Sequence, residues 1–312
     1  MTVVASGSVA FDYILTYRGR FSDHIVPERA DSVNLSFLVD SMERRRGGVA
    51  SNYAYNLALL GRPVAVLATV GPDALEYRSW LEDRGVDCRG LVVLADEHTA
   101  TGFTTTDMAG NQITGYYGGA MLRAGEIGLD ATVPDPEAVI IGPNAPAAMS
   151  RLAAECRERH LKWVYDPAHQ LPHLSPEELR AGTEGAWILI GAEYELELIR
   201  RATGLDDASL AQLAEFVVTT HGRRGSEIRR GDQVFQIPAC PAQVEVDPVG
   251  AGDAYRAGLV HGLLMALDPE VAGRMGAVAG AYAVEQTGTV EHVFDEASFK
   301  RRYALAFGSS PY

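Results

Sequence analysis

Asp247-Pro248-Val249-Gly250-Ala251-Gly252-Asp253-Ala254 stands directly before an apolar-rich run that reaches Leu267. Gly250 and Gly252 leave the backbone bare, and a helix starting there would turn the amides of Ala251, Gly252 and Asp253 outward with nothing to bond. Such an N-terminus attracts anions. Asp253 falls in the first turn, so its carboxylate would lie beside the same spot. An anion hole next to a carboxylate suits phosphoryl transfer to a hydroxyl: the amides hold the moving negative charge and the carboxylate takes the hydroxyl proton. A plain turn followed by an ordinary first-turn acid would read the same way, and a second glycine element far upstream weakens that alternative.

The upstream element is Arg46-Gly47-Gly48-Val49-Ala50-Ser51-Asn52-Tyr53, running on to Gly61. Val49, Tyr53, Leu57 and Leu60 share one helical face, and Gly47 and Gly48 at its start allow a ligand to approach the backbone closely. Asn52, one turn in, carries both a donor and an acceptor. Asp12 lies just past the first apolar run and would reach the same side, where a carboxylate can accept from two neighbouring hydroxyls. Singly, Asp12 reads as a loop acid and Asn52 as a helix-start amide. Together with Asp253 they all fall at strand-to-helix edges.

The elements that must position these groups are legible as alternating runs. Val3–Ser6, Val64–Val70, Ala138–Ile141, Lys162–Tyr165, Trp187–Ile190 and Phe216–Thr219 read as strands. Gly48–Leu60, Ala74–Arg84, Ala145–Arg159, Ser175–Ala181, Glu193–Thr203 and Ala251–Leu267 read as helices, with Gly61 and Gly85 where C-terminal caps belong. This alternation predicts an α/β fold with a doubly wound, mainly parallel sheet flanked by helices, whose ligands bind beyond the carboxyl ends of the strands. Two segments break the pattern. Val33, Leu35, Phe37 and Val39 alternate at strand period, and Thr99–Tyr117 is a hairpin candidate turning at Ala109-Gly110-Asn111. They predict a small antiparallel β lid, or else extra edge strands on the main sheet.

The two glycine elements resemble the N- and C-terminal signatures of the ribokinase-like, or PfkB, kinase family, with Pro248 where that family usually has Thr. Gly19-Arg20-Phe21-Ser22, Pro27-Glu28, Leu35–Asp40, Tyr77–Leu81, Asp166–Leu171 and Gln286–Thr289 resemble bacterial, especially actinobacterial, adenosine kinases, and the likeness spans nearly the whole chain. The resemblance implies a single kinase domain over residues 1–312 with a lid from about 13–46 and 98–119. It implies that Ser8, Asp12, Gly48 and Asn52 line the ribose pocket. It further implies that Phe37, Phe103 and Tyr116 close over a base, or only pack the lid, and that Gln170 borders the nucleoside. Gly250, Ala251, Gly252 and Asp253 would form the catalytic end.

Thr219-Thr220-His221-Gly222-Arg223-Arg224-Gly225 resembles the family's turn beneath the ATP phosphates, which assigns Thr220, Gly222 and Gly225 to ATP and offers Arg223 or Arg224 as phosphate cations. The family's N-x-x-E appears with Ala192 in the Asn position, so Glu195 would meet Mg²⁺ through water. A monovalent cation such as K⁺ is implied near Asp247 and Val249.

At 312 residues, 47% hydrophobic, the chain can bury one large α/β core. A formal net charge of −14 without an extended basic run argues against nucleic acid. No apolar run is long enough to span a bilayer, and Cys88, Cys156 and Cys240 are scattered and odd in number; both point to a reducing cytoplasm. No Walker motif, dinucleotide G-x-G-x-x-G after the first strand, or zinc spacing occurs. The expected activity is an ATP-dependent nucleoside kinase, adenosine first, forming AMP and ADP. A sugar kinase acting on ribose or fructose, and a non-catalytic nucleoside-binding regulator, are the rivals. A homodimer through the lid is the expected assembly.

Overall fold

The computed structural model describes residues 1–24 and 35–312. Its strands in chain order are β1 (Val3–Ser6), β2 (Ala10–Thr16), β3 (Ser41–Gly47), β4 (Val64–Val70), β5 (Val86–Val93), β6 (Ala100–Thr106), β7 (Gln112–Tyr117), β8 (Ala138–Ile141), β9 (Lys162–Tyr165), β10 (Ile188–Ala192), β11 (Phe216–Thr220), β12 (Ser226–Arg230) and β13 (Gln233–Ile237). The helices are α1 (Val49–Leu59), α2 (Leu75–Glu82), α3 (Pro146–Glu158), α4 (Pro176–Thr183), α5 (Glu193–Thr203), α6 (Asp207–Leu213), α7 (Ala251–Leu264), α8 (Pro269–Val284) and α9 (Glu296–Phe307).

The main sheet runs β13-β12-β11-β10-β9-β8-β1-β4-β5. Every pairing from β11 to β5 is parallel, and β12 and β13 close the other edge as an antiparallel hairpin. Two apolar layers cover its faces. Val3, Ala5, Val66 and Ile140 face one layer with Tyr53 and Leu57, while Val4, Leu67, Val139 and Ile141 face the other with Met149 and Leu152. Near-continuous burial of β4 and β8 is what a sheet covered on both sides requires. Residues that alternate along a strand therefore serve opposite cores.

Helices α7 and α8 pack closely because both present glycine. A Cβ on Gly258 would lie 2.7 Å from the Met275 carbonyl oxygen, and one on Gly262 would lie 2.8 Å from Ala272 Cα. This close pairing sets the direction of α7 and with it the position of its N-terminus.

The second sheet is β3-β2-β6-β7. The β2–β3 and β6–β7 pairs are antiparallel and the central β2–β6 pair is parallel, so the small sheet is mainly antiparallel. The alternating run from Val33 does not supply a strand: residues 33 and 34 lie outside the described residues, and 35–39 have no regular structure. The strand comes instead from Ser-Met-Glu-Arg-Arg-Arg-Gly at 41–47. As an exposed edge it tolerates charge, so it lacks the hydrophobic alternation that marks half-buried strands. Its basic run anchors the small sheet, because Arg44 and Arg46 each reach Glu76 on α2 at 2.9 Å. The hairpin expected at Ala109–Asn111 is present as β6 and β7, with Asp107 accepting the Ala109 and Asn111 amides at 2.9 Å.

Candidate active site

Ser8, Gln170, Glu195 and Thr220 lie at or just past the carboxyl ends of β1, β9, β10 and β11, where a parallel sheet leaves its crevice, while Asp12 and Tyr116 come from the second sheet. Gly48 precedes α1 at φ 94°, and a Cβ there would sit 2.6 Å from both the Ala10 nitrogen and the Ser8 carbonyl. Only glycine lets the start of α1 butt against the β1–β2 turn. Ser8 Oγ accepts the Val49 amide at 3.1 Å, so it caps α1 while lining the cleft.

Gly250 takes φ 82° at the start of α7, against Thr289, whose Cα would be 2.8 Å from an added Cβ. The Ala251 amide bonds back to the Pro248 carbonyl at 3.3 Å. The expected three open amides are therefore two: those of Gly252 and Asp253 make no hydrogen bond among the described residues. Asp253 Oδ2 accepts from Asn52 Nδ2 at 2.7 Å, joining the starts of α7 and α1, and Asn52 Oδ1 is buried without a partner. Burial raises the Asp253 pKa from 3.8 to about 6, against the opposing pull of Arg256 and the Asn52 hydrogen bond. A carboxylate that titrates near neutrality beside two unbonded helix-start amides can chemically serve as a base next to a developing negative charge.

Two cavities reach the starts of these helices, the first lined by Gly48 and Val49 and the second by Ala251 and Gly252. One, of about 770 Å³, is lined by Ser8, Asp12, Gly48, Tyr116, Met121 and Gln170 among others. Asp12 is half-buried, and desolvation raises its pKa while Arg45 lowers it. His169 and His173 also line this cavity. Neither was assigned a role from the sequence: His169 adjoins Gln170 within Asp166–Leu171, and His173 lies just beyond that segment. Burial lowers the His169 pKa, which favours the neutral ring as a hydrogen-bonding group.

The second cavity, of about 600 Å³, is lined by Thr220, Gly222, Gly225, Asp247, Ala251 and Gly252, with Ala277, Gly280 and Ala281 of α8 forming an apolar side. Gly225 is held at φ 91°, where a Cβ would come 2.0 Å from the Ile237 carbonyl oxygen. The α8 contribution left no sign in the sequence: a helix rich in Ala and Gly and buried on several sides has little amphipathic period to read. Arg223 and Arg224 are exposed and paired with Glu245 and Glu193. Glu195 is buried; it accepts the Ala192 amide at 2.6 Å and the Tyr194 hydroxyl at 3.0 Å.

Two lid aromatics are not where a ligand would touch them. On β2, β6 and β7 the cross-strand row Asp12, Gly102, Tyr116 looks into the first cavity. The next row, Tyr13 and Phe103, must face the other way. Phe103 stacks on Tyr13 with centroids 5.2 Å apart and is 48% exposed. Phe37 packs on Tyr17 at 4.6 Å and on Phe21 at 5.4 Å, outside the cavity lining. Of the three expected base-covering rings only Tyr116 is placed to serve.

The sequence profile described as pfkB family carbohydrate kinase matches residues 4–295. The chain is 31% identical over 314 aligned residues to a nucleoside kinase of Methanothermobacter thermautotrophicus, covering 99% of this chain and 97% of the relative. Its structure is similar to that of Burkholderia thailandensis nucleoside kinase in complex with inosine, with a TM-score of 0.88, 33% identity and 99% of each chain covered. It is also similar to the Methanocaldococcus jannaschii nucleoside kinase, described as an archaeal member of the ribokinase family. There the TM-score is 0.86 at 25% identity, over 97% of this chain and 98% of that one. The fold is ribokinase-like α/β, a mostly parallel sheet with flanking helices and a small second sheet. Matched along nearly its whole length by this profile and these relatives, the chain belongs to the pfkB family of carbohydrate kinases, which transfer a phosphoryl group from ATP to a hydroxyl.

Proposed function

We propose that the chain is a nucleoside kinase that phosphorylates the 5′-hydroxyl of a ribonucleoside, with adenosine the first candidate and AMP and ADP the products. The observation that carries this reading is the cavity holding Asp12. At about 770 Å³, with Tyr116, Met121 and Leu122 in its wall, it offers room and apolar surface beyond what one sugar ring uses. Asp12 accepts from the ribose diol, Tyr116 covers the base, and Gln170, His169 and His173 supply hydrogen bonds to the base edge. ATP takes the second cavity, its adenine against Ala277 and Gly280 and its phosphates toward Gly222, Gly225 and Gly252. Asp253 then removes the 5′-hydroxyl proton as the γ-phosphoryl arrives, and the Gly252 and Asp253 amides hold its charge.

Mg²⁺ would enter with the nucleotide phosphates and neutralise part of their charge. Glu195 suits a water-mediated role: each oxygen already accepts one protein hydrogen bond and Arg256 lies 3.9 Å away, which disfavours direct ligation. A K⁺ ion beside Asp247 and Val249 completes the reading; exchange of K⁺ for Na⁺ in the assay measures it. One kinase domain over 1–312, with a lid from about 13–46 and 98–119, frames the site. A homodimer through the lid is supported by Met42, Phe103 and Ile113, which share the outward face of the small sheet and are all substantially exposed. Light scattering of the wild type and Phe103→Glu reads the assembly.

The deciding experiment is ADP release from ATP across adenosine, inosine, cytidine, ribose and fructose. Turnover with nucleosides at concentrations where free sugars give none supports the reading. Equal efficiency on ribose would make the chain a sugar kinase, and no turnover with any acceptor would make it a binding protein.

A further inference from the structure

Arg256 lies three residues beyond Asp253, on the same face of α7. It is 8% exposed and Asp166 is 1% exposed. Its Nε lies 2.7 Å from Asp166 Oδ2, and its Nη2 donates to Asp166 Oδ1 at 3.0 Å. Asp166, directly after β9, also accepts from the Tyr53 hydroxyl of α1 at Oδ2. Glu195 stands 3.9 Å from Nη2. Nη1 makes no hydrogen bond among the described residues, and it lies along the start of α7: a Cβ on Gly252 would come within 2.9 Å of it. The guanidinium is thus tied to Asp166 through Nη2, while Nη1 lies alongside Gly252, whose amide is open.

A buried Arg–Asp pair is a weak source of stability, because desolvation offsets most of the attraction. A cation fixed in advance at the point where negative charge gathers is a strong source of catalysis. Arg223 lines the second cavity, but it and Arg224 are exposed and paired with acids, so neither is a cation fixed in advance. Ala192 removes a polar side chain from the same side of the cleft, where Glu195 already faces Arg256.

We propose that Arg256, held by Asp166, is a catalytic residue of this kinase: its Nη1 joins the Gly252 and Asp253 amides in binding the phosphoryl group as it moves between the two cavities. The inference rests on the kinase reading of the same site. In the step, a bond forms between the acceptor hydroxyl oxygen and the γ-phosphorus. The bond from that phosphorus to the β–γ bridging oxygen breaks with its electron pair, leaving ADP. The hydroxyl proton passes to Asp253. Arg256 remains charged throughout and transfers nothing.

The test is the double variant Asp166→Asn/Arg256→Met, which removes the closest buried pair together and leaves Glu195 held by the Ala192 amide and the Tyr194 hydroxyl. Its Tm is expected to stay within about 5 °C of the parent, as neutral replacement of a buried pair allows. Affinities for ADP and for nucleoside are expected to hold while kcat falls about 10²–10³-fold. Thermal stabilisation by ADP and nucleoside together is expected to persist, and the further increment given to the parent by aluminium fluoride, a mimic of the moving phosphoryl, to vanish. A folded double variant with kcat near the parent's and an intact fluoride increment would overturn the proposal and leave Arg256 as a counter-charge to Asp166. Should the double variant misfold, Arg256→Lys decides. A lysine can hold Asp166 or face Gly252 but not both, so kcat should drop at least about tenfold at unchanged nucleoside KM. Parent-like kcat in that variant also overturns the proposal. A parent enzyme without nucleoside-dependent ADP release would instead refute the nucleoside reading itself.

Discussion

Asp253→Asn should make the protein slower and more stable at once, and the two effects share one cause. Burial holds the Asp253 carboxyl at about 6 rather than 3.8. That difference corresponds to about 3 kcal/mol against the charged form in the folded chain. Between about pH 4 and 6 the folded chain keeps a proton that the unfolded chain has lost. Stability from this group is therefore gained as pH falls through that window and lost as pH rises through it, with the full penalty standing above about 6. Asparagine keeps the size and can still accept from Asn52, but it carries no charge. The variant should exceed the parent by up to about 3 kcal/mol at pH 8, with the gap closing toward pH 4. Its kcat should fall about 10²–10⁴-fold, the usual loss on removing a general base. In the parent, kcat/KM for the nucleoside should decline below an apparent pKa near 6, because only the ionised carboxylate takes the proton. Urea titrations at pH 8 and pH 5, with a pH–rate profile of ADP release, measure all three. An acid limb near 4, a variant less stable than the parent at pH 8, or more than a tenth of the parental kcat would refute the argument.

Asp12→Ala should raise the KM of ribonucleosides about 10–100-fold, as expected for a lost charged hydrogen-bond acceptor. It should also make ribo- and 2′-deoxyribonucleosides nearly equivalent; steady-state kinetics on the pair checks it, and retained discrimination places the diol contact elsewhere. Tyr116→Ala should raise nucleoside KM about tenfold or more, in line with the loss of one stacking partner. Phe103→Ala should leave nucleoside KM unchanged, because that ring lies on the opposite face of its sheet; the reverse outcome would refute the register argument. Gly225→Ala should lower stability by about 1–3 kcal/mol, because the residue is held at φ 91° and the new Cβ meets the Ile237 carbonyl. Thermal melting measures this, and an unchanged Tm would show that the turn can relax.

Local periodicity and special backbone positions were readable from the residues alone. Apolar runs and 3.6-residue stripes placed β1, β4, β8, β9 and α1, α3, α5 and α7 within a few residues, because each pattern lies inside one element. Gly48 and Gly250 stood out for the same reason: a helix start that must adopt positive φ against another backbone admits little else. Two kinds of feature were not readable. Elements without a contrast between faces left no signal. Helix α8 is buried on several sides and rich in Ala and Gly, whereas β3 is exposed and charged. Relations between distant segments were decided only by packing. Asn52 meets Asp253 across 201 residues, and Asp166 meets Arg256 across 90. Which lid aromatic sees the ligand depended on the register of β2, β6 and β7. Phe103 and Tyr116 look alike along the chain, and a shift of one residue in pairing exchanges the two faces, so only the assembled sheet turns Tyr116 inward and Phe103 out.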